Sequence, residues 1–476
     1  MPFQDLRTFL QTVDAYGELK TLRGVALHLE MGAIAEVSHR HDGPALLFEA
    51  IPGFPESYRV AANVCSSPRR ALLALGMDPN LPEATAAEKF REIWEGFKPV
   101  PPRVVNTGPI LDNIQTGDDV DLLQFPVPLW HERDAGPYIG TGDAVIHRDP
   151  DTGAVNVGTY RVQLHDRRTT GLFTNNGTGG WDIMRKYWAQ GKPAPVAISF
   201  GPEPLLFASA STANGSPQGS FEYEFTGYLA GEPIPVIEGQ VTGLPISANS
   251  EIAIEGLVAP PSEVARNEGP FGEWTGYYES SQTPEPVVQV KALYYRNDPI
   301  IFGAPPLLHQ RSYFFGLNLR STGMLSRFAQ LELPVRRIAP IGPYNCTVIS
   351  VEQQHADDVP RIMEVLAQGA GFSRLTILVD DDVDPADPWD VLWAVGTRFD
   401  PDQARTLPFD NRNMLEPLRR MADLDRSNRA PLADRRMIIN GCRPFERLAD
   451  FPPVNRFSEE WGQKVWDKWA MASWLK

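Results

Sequence analysis

The sequence has few cysteines, no long apolar stretch and less positive than negative charge. Its 476 residues include 3 cysteines, at positions 65, 346 and 442, far apart and without a CxxC pair. Their number and spacing exclude a disulfide framework and a cysteine-rich zinc site. No apolar run approaches the roughly 18 residues that a membrane-spanning helix needs. The first seven residues do not resemble a secretory signal, so we expect a cytoplasmic protein with no membrane span.

The excess of acidic residues argues against nucleic acid as the main partner. Lys and Arg number 44 against 60 Asp and Glu, a net charge of −16, which repels phosphate backbones and anionic lipid. The sequence also lacks HExxH, a P-loop and a GxSxG elbow. What it does contain is typical of a globular protein, with 42% hydrophobic and 22% charged residues.

Three stretches of the chain differ in their hydrophobic pattern. Helical and strand patterns alternate over residues 1–104, which predicts an α/β region, and a proline-rich run at 98–103 favours a boundary there. Short β-rich segments with frequent turns over 105–310 indicate a barrel or a sandwich. The α/β alternation returns over 311–476.

The last stretch ends in a helical pattern that contains four tryptophans, at 461, 466, 469 and 474. So much aromatic surface on a terminal helix predicts a partner subunit or domain that buries it.

Two short segments have the residue types of a catalytic site. Residues 156–161 (NVGTYR) contain a strand arginine, and residues 267–278 (NEGPFGEWTGYY) place Glu268 and Glu273 on the two sides of a tight turn. Two carboxylates held close together separate in pKa, so that one of them can act as an acid. Arg161 could pair with one carboxylate and orient it. The structural alternative is a decorated hairpin loop.

These two segments resemble the signatures of the UbiD family of decarboxylases. The resemblance extends over nearly the whole chain. Its further segments are 67–70 (SPRR), 227–233 (GYLAGEP), 248–256 (ANSEIAIEG), 380–384 (DDDVD) and 391–398 (VLWAVGTR).

The resemblance implies an enzyme that reversibly and non-oxidatively decarboxylates unsaturated or aromatic acids through a prenylated-FMN adduct. It implies Mn²⁺, with K⁺ as an alternative, and a UbiX-type flavin prenyltransferase that supplies the cofactor. The implied architecture is α/β with a β-barrel: an amino-terminal α/β region, a split β-barrel flavin-binding domain and a carboxy-terminal α/β oligomerisation domain. The implied assembly is a homodimer or a larger oligomer.

The resemblance also implies roles for single residues. Arg161, Glu268 and Glu273 match the catalytic network, with Glu273 as the proton donor, and Asn156 and Glu222 match the metal ligands. Residues 177–181 stand where some members supply a histidine ligand. The implied cofactor-binding residues are Asn156, Thr159, Tyr160, Arg161, Phe173, Thr174, Asn175, Thr178, Gly179, Glu222 and, in place of a lysine, Arg436.

The segment after residue 302 occupies the region that shapes the family's substrate pocket. Tyr313, Phe314 and Phe315 could stack on an aromatic ring, and His309 could bond to a ring heteroatom or hydroxyl. These residues favour an aromatic or heteroaromatic acid of the indole, pyrrole or hydroxybenzoate type. A cinnamic-type acrylic acid is the alternative substrate, and helix core is the alternative role of the aromatic side chains.

Two alternatives of a different class remain at this point. One is a non-catalytic flavin- or metal-binding subunit of a carboxylase complex, which the complete set of Arg161, Glu268 and Glu273 disfavours. The other is a two-carboxylate glycoside hydrolase, which needs no flavin.

Overall fold

A computed structural model provides the coordinates of most of the chain. It describes residues 4–174, 177–212, 221–279, 283–308, 319–341, 346–368, 373–411, 432–455, 458–469 and 471. Within these ranges, no helix is both long enough and apolar enough to cross a bilayer.

The amino-terminal part alternates helices and strands, as its sequence pattern predicts. Its elements are α1 (Leu6–Ala15), β1 (Leu19–Arg23), α2 (Glu30–Arg40), β2 (Ala45–Glu49), β3 (Arg59–Ala62), α3 (Pro68–Ala74) and α4 (Glu83–Glu95). α1 begins where the Asp5 side chain accepts from the backbone N–H of Thr8 and the Thr8 hydroxyl accepts from that of Asp5, a reciprocal cap that satisfies otherwise unpaired donors. Ser67 caps α3 with its side chain, which accepts from the backbone N–H of Arg70. The strands lie in the order β1-β2-β3.

The middle part is rich in short strands. They are β4 (Arg103–Val104), β5 (Asn113–Thr116), β6 (Tyr138–Gly140), β7 (Asp143–Arg148), β8 (Val155–Gly158), β9 (Val162–Asp166), β10 (Thr169–Gly171), β11 (Ala194–Phe200), β12 (Pro235–Glu238), β13 (Pro245–Ser247), β14 (Ile252–Val258), β15 (Ala265–Glu268), β16 (Phe271–Gly272), β17 (Tyr278–Glu279), β18 (Thr283–Tyr295) and β19 (Ile300–Gly303). Three helices interrupt them: α5 (Gly179–Ala189), α6 (Pro204–Thr212) and α7 (Phe221–Ala230).

Ten of these strands form one curled sheet, a half-barrel. The path runs β6-β9-β10-β18-β14-β11-β7-β8, and β5 and β15 also pair with the long strand β18. Within the described residues the path ends at β6 and β8, and these two strands do not pair with each other. The predicted barrel is therefore an open, curled sheet in this part of the chain.

The three helices of the middle part are absent from the sequence-based prediction. α6 and α7 are apolar on nearly every side, because both are buried under the sheet, so they lack the contrast between faces that reveals a surface helix. α5 begins inside a glycine-rich segment, which hides its first turn.

The carboxy-terminal part is a second α/β unit. Its elements are α8 (Leu319–Gln330), β20 (Val335–Ile341), β21 (Cys346–Val351), α9 (Asp358–Gln368), β22 (Leu375–Asp380), α10 (Pro388–Arg398), β23 (Arg405–Asn411), β24 (Leu432–Asn440) and α11 (Glu459–Lys468). The sheet order is β20-β21-β22-β24-β23, and the three central strands run parallel. The acidic segment after β22 leads to Asp387, which caps α10.

The amino-terminal and middle parts share a sheet, several hydrogen bonds and an apolar cluster. β19 completes the amino-terminal sheet by pairing in parallel with β3. Arg7 of α1 binds Glu251 through two hydrogen bonds of 2.9 and 2.8 Å, and Arg296 donates to Asp5 at 2.8 Å. One buried apolar cluster includes residues of α1, α3, α7 and β18. The two parts therefore form a continuous core.

The terminal helix α11 is exposed. Its tryptophans Trp461 and Trp466 are 54% and 40% exposed, and Trp469, which follows its last residue, is 63% exposed. Trp474 lies outside the described residues. The partner predicted for this helix stays a prediction.

Candidate active site

Three charged side chains from separate segments of the middle part meet in one place. Arg161 directly precedes β9, Glu268 ends β15 and Glu273 follows β16. The Arg161 guanidinium donates to Glu268 through Nε at 2.7 Å and Nη2 at 2.5 Å, and its Nη1 donates to Oε1 of Glu273. All three side chains are at least nine-tenths buried. The structure thus joins the arginine and the two glutamates in one ion-paired cluster.

Aromatic rings enclose this cluster. The Arg161 guanidinium lies 3.7 Å above the ring of Phe173 and 5.3 Å from that of Phe271, a cation–π arrangement. The Tyr138 hydroxyl donates to Oε1 of Glu268 at 2.7 Å. Glu268 therefore accepts three hydrogen bonds, from two residues, in a water-poor setting where charge-assisted bonds are strong.

Glu273 is held by a short hairpin. β16 pairs with β17, the Glu273 backbone N–H donates to the carbonyl of Tyr277 at 2.9 Å, and the Gly276 N–H donates back to the Glu273 carbonyl at 2.9 Å. Gly269 has a φ of +79°, in the region that favours glycine, at the turn that separates the two glutamates. The backbone, rather than the side chain alone, sets the position of the Glu273 carboxyl group.

A second polar cluster lies at the edge strand β8. Asn156 is on this strand, and Glu222 of α7 accepts from the backbone N–H of Val157 at 3.2 Å. Burial raises the pKa of Glu222 to about 7. An amide oxygen and a carboxylate are the donors that a hard divalent cation prefers.

The first turn of α5 covers this second cluster. Gly180 donates its N–H to the Tyr160 hydroxyl at 3.2 Å, and Thr178 is the residue at the N-cap of the helix. A Cβ atom at Gly179 would stand 2.0 Å from Oδ1 of Asn156, so only glycine fits there in this arrangement. A helix N-terminus presents free N–H groups and partial positive charge to an anion.

His147 is buried in the same place. It is fully buried on β7 and pairs across the strands with Asn156. Its Nδ1 lies 3.2 Å from the Pro195 carbonyl, and its buried Nε2 has no partner among the described residues. Burial lowers the pKa of His147 to about 4, so the ring is neutral and Nε2 is an acceptor.

These residues would suit a divalent metal ion together with the phosphate of a cofactor. The cluster offers two oxygen ligands, a helix N-terminus and an unpartnered ring nitrogen close by. In the part of the chain that the structure describes, no group of three His, Cys, Asp or Glu side chains could hold a metal alone. A cation here would thus need further ligands, which phosphate oxygens can supply.

The other predicted site residues fall in three places. Thr159 is half-buried beside Arg161, and Thr174 is buried next to Phe173, whose N–H donates to the Arg161 carbonyl at 3.2 Å. Arg436 lies on β24, where its guanidinium donates to the carbonyls of residues 366 and 367 at 3.4 and 3.3 Å; no described contact joins it to either cluster. The residues outside the described ranges are Asn175, His309, Tyr313, Phe314 and Phe315.

Several residues that sequence reasoning missed also face the arginine cluster. Tyr138 is the clearest. His165 lies on β9, four positions after Arg161, where burial and the charge of Arg266 lower its pKa against the opposing charges of Asp166 and Glu268. Asp143 accepts the backbone N–H of Tyr160, the residue before Arg161, at 3.3 Å. Burial raises the pKa of Asp143 well above its usual range. His165 could have been predicted from the sequence, because residues 161, 163 and 165 are spaced by two and side chains at that spacing share one face of a strand.

Comparison with known proteins identifies the family. Three models of the 3-octaprenyl-4-hydroxybenzoate carboxy-lyases match: the N-terminal domain over residues 10–89, the Rift-related domain over 103–307 and the C-terminal domain over 337–430. A phenolic acid decarboxylase of Streptomyces sp. (strain D7) is 31% identical over 421 residues, 84% of this chain and 85% of that protein. The chain belongs to the UbiD family. It is thus a member of a family of carboxy-lyases.

Solved structures of UbiD enzymes have the same three-part fold. An evolved dimeric form of the UbiD-class enzyme HmfF from Pelotomaculum thermopropionicum, in complex with prFMN, matches with a TM-score of 0.80 and 25% identity over 97% of this chain and 98% of that one. The vanillic acid decarboxylase of Sedimentibacter hydroxybenzoicus, in its open form, matches with a TM-score of 0.79 and 28% identity over 98% and 99% of the two chains.

Proposed function

We propose that this UbiD-family protein decarboxylates an aromatic or heteroaromatic carboxylic acid, reversibly and without net oxidation, with Glu273 as the proton donor. The observation that carries the proposal is the buried arginine shared by two glutamates. Relatives named as decarboxylases of phenolic and vanillic acids support an aromatic substrate.

The charges of the cluster favour Glu273 as the proton carrier. Arg161 supplies one positive charge for two carboxylates, so the buried trio is neutral only when one carboxyl group holds a proton. Glu268 accepts three hydrogen bonds from Arg161 and Tyr138, so we assign the proton of the trio to the other carboxyl group. The proton then resides on Glu273, from which it passes to the carbon that loses CO₂.

The second cluster is the proposed cofactor and metal site. Asn156 and Glu222 would bind Mn²⁺, and the first turn of α5 would bind the phosphate of prenylated FMN. When bound, the cofactor supplies the electron sink that cleavage of a carbon–carbon bond requires and that side chains do not offer.

The substrate pocket and the partners are proposed in the same way. His309, Tyr313, Phe314 and Phe315 are the proposed substrate contacts. A UbiX-type prenyltransferase would supply the cofactor, and the enzyme would act as a homo-oligomer. The chain's membership of a carboxy-lyase family leaves the hydrolase alternative without support.

The test is a co-expression experiment with a flavin prenyltransferase. We expect the purified protein to release a prenylated flavin on denaturation and to liberate CO₂ from at least one acid in a panel of hydroxybenzoic, indole and pyrrole carboxylic acids. Cinnamic acids in the same panel test the alternative substrate class. Flavin-free protein after co-expression with added Mn²⁺ would contradict the cofactor assignment.

Glu273→Gln tests the proton donor. Amide in place of carboxyl should keep the flavin and reduce turnover by about 10²–10⁴-fold, the range typical of a lost general acid. Glu263→Gln, an exposed glutamate on the loop before β15, is the matched control and should leave turnover unchanged. Full activity of Glu273→Gln would contradict the assignment of Glu273 as the proton donor.

A further inference from the structure

A turn outside both clusters contacts the hairpin that carries Glu273. In this turn, residues 131–134, the Asp134 N–H donates to the His131 carbonyl at 3.2 Å. The Asp134 side chain, fully buried, accepts the backbone N–H of Gly272 at 2.9 Å. The next residue in the chain, Ala135, donates its N–H to the Pro270 carbonyl at 2.8 Å. Two hydrogen bonds thus fasten the turn to the hairpin, directly before Glu273.

The His131 ring connects this turn to another segment. Its Nδ1 lies 2.9 Å from Oδ2 of Asp134, and its Nε2 lies 2.8 Å from the carbonyl oxygen of Pro306. A carbonyl oxygen can only accept, and the Asp134 carboxylate already accepts from the N–H groups of Gly272 and His131. Both ring nitrogens of His131 are therefore donors, and the ring is an imidazolium.

The packing leaves the ring little freedom. A Cβ atom at Gly272 would lie 2.8 Å from Nδ1 of His131, so the hairpin approaches the ring as closely as glycine allows. The rings of Phe271 and Tyr278 meet it edge-on, with centroids 5.4 and 6.2 Å away. The hairpin and the segment after β19 also meet at a second point, since a Cβ atom at Gly276 would lie 2.8 Å from Cδ1 of Leu308.

We propose that His131 and Asp134 are positioning residues, which hold the hairpin of Glu273 at a fixed place relative to residues 304–308. The inference rests on the proposed function, because Glu273 is there the proton donor. Asp134 fixes the position of the hairpin and so affects proton transfer from Glu273. The hydrogen bond from His131 to the Pro306 carbonyl fixes the position of the segment that follows β19 and so affects substrate binding.

The surrounding charges support a protonated His131. Burial alone lowers its pKa, but the hydrogen bond and charge of Asp134, the Pro306 carbonyl and the charge of Glu36 outweigh burial, so the pKa is raised. The ionisable groups that face the ring are Asp134 from its own turn, Glu36 from α2 and the Tyr278 hydroxyl from β17. The cation is thus surrounded mainly by negative charge.

Two amide substitutions separate the two bonds of His131. His131→Asn places a donor near the position of Nδ1, so it keeps the bond to Asp134 and loses the bond to Pro306. His131→Gln places a donor near the position of Nε2, so it keeps the bond to Pro306 and loses the bond to Asp134. His41→Gln, at an exposed histidine after α2, is the control.

In steady-state kinetics on the flavin-loaded enzyme, one variant should change mainly KM and the other mainly kcat. We expect His131→Asn to raise KM by about tenfold with kcat within about twofold, and His131→Gln to lower kcat by about tenfold with KM within about twofold. Asp134→Asn should behave as His131→Gln does, which keeps the test decisive if one histidine variant does not fold. Equal losses in both histidine variants, the reverse division, or no change in either overturns the proposal.

Hydrogen–deuterium exchange tests the inference without activity. Exchange should accelerate in the peptide that contains Gly272 for His131→Gln, and in the peptide that contains Leu307 for His131→Asn. Unchanged exchange in both variants overturns the inference. If the wild-type protein decarboxylates nothing, the proposed function fails, yet this exchange pattern still decides whether His131 couples the two segments.

Discussion

The arrangement of single residues around Arg161 explains how one cation can organise two acids. Its three nitrogens are divided between Glu268 and Glu273, and Tyr138 adds a further donor to Glu268. An arginine suits this role because its planar fork has several donors at fixed angles, which a lysine lacks. The two carboxyl groups thereby acquire different surroundings, although they are of one residue type.

Tyr138→Phe tests the contribution of the third hydrogen bond. Without the Tyr138 hydroxyl, Glu268 accepts hydrogen bonds from Arg161 alone. The surroundings of the two carboxyl groups then differ less, so the proton is held less selectively on Glu273. We expect kcat to fall by about tenfold, or about 1.4 kcal/mol of transition-state stabilisation, with flavin content unchanged. Tyr277→Phe, at an exposed tyrosine of the same hairpin, is the control. Unaltered kcat in Tyr138→Phe would show that Arg161 alone suffices.

A buried acid elsewhere predicts a pH effect on stability. Glu203 is fully buried, accepts from the Ser247 hydroxyl at 2.6 Å, and burial raises its pKa to about 7. Because the folded pKa lies above the unfolded value, its stabilising effect is complete below about pH 4.5 and is lost as pH rises through about 7. The shift corresponds to about 3 kcal/mol. Urea unfolding at pH 5 and pH 8 should show this loss in the wild type.

Glu203→Gln removes the titrating group. The difference in unfolding free energy between pH 5 and pH 8 should shrink by up to about 3 kcal/mol. Glu232→Gln, at an exposed position after α7, should retain the wild-type difference. An unchanged pH dependence in Glu203→Gln would assign the effect to other groups.

The sequence predicts which residues form the acid–base site better than it predicts which residues contact them. Arg161, Glu268 and Glu273 occur in two short segments whose composition suggests acid–base chemistry, and the structure brings them together. Tyr138 and Asp134 reach the same region from a different segment, more than 100 positions from the glutamates. No spacing rule connects such distant residues, because their contact depends on the completed sheet.

At the scale of elements, the predicted helices are those with a local start signal and a polar face. α1 has a capping side chain and buried residues at helical spacing, and α3 has a capping serine and a proline in its first turn. α6 and α7 have neither feature visible in the sequence, since apolar residues surround them on most sides. Their position under the sheet, rather than any local preference, determines their conformation.

Gly179→Ala tests the element that covers the second cluster. The added methyl group would meet Oδ1 of Asn156 at the start of α5, so either the side chain or the helix must move. We expect retention of flavin and Mn²⁺ after gel filtration to fall by about tenfold. Gly396→Ala, in α10 with open space around it, should leave retention unchanged and add about 0.5–1 kcal/mol of stability. Normal retention in Gly179→Ala would argue against a site beneath this helix.

At the scale of the whole molecule, the terminal helix has exposed tryptophans that a partner subunit could cover. Trp461 on α11 and Trp469 at its end are exposed, and Trp389 on α10 is 80% exposed. Large exposed aromatic surface favours association. We expect the double variant Trp461→Gln/Trp469→Gln to lower the native mass by at least one subunit, as native mass spectrometry would show. Lys464→Gln on the same helix is the control, and an unchanged mass in the double variant would place the interface elsewhere.

The strand β19 has a consequence for how the protein is made. The amino-terminal sheet is complete only when this strand joins β3, and Arg59 beside it bonds to Asp298, 239 positions further along the chain. A ribosome adding about 5–20 residues per second needs roughly 10–50 s to cover that distance. During this interval the emerging chain exposes an unpaired strand edge, which is a template for aggregation. We expect this unpaired edge to make the emerging chain more prone to aggregation than its final core would imply, and slower elongation through the middle part would lengthen the period of risk.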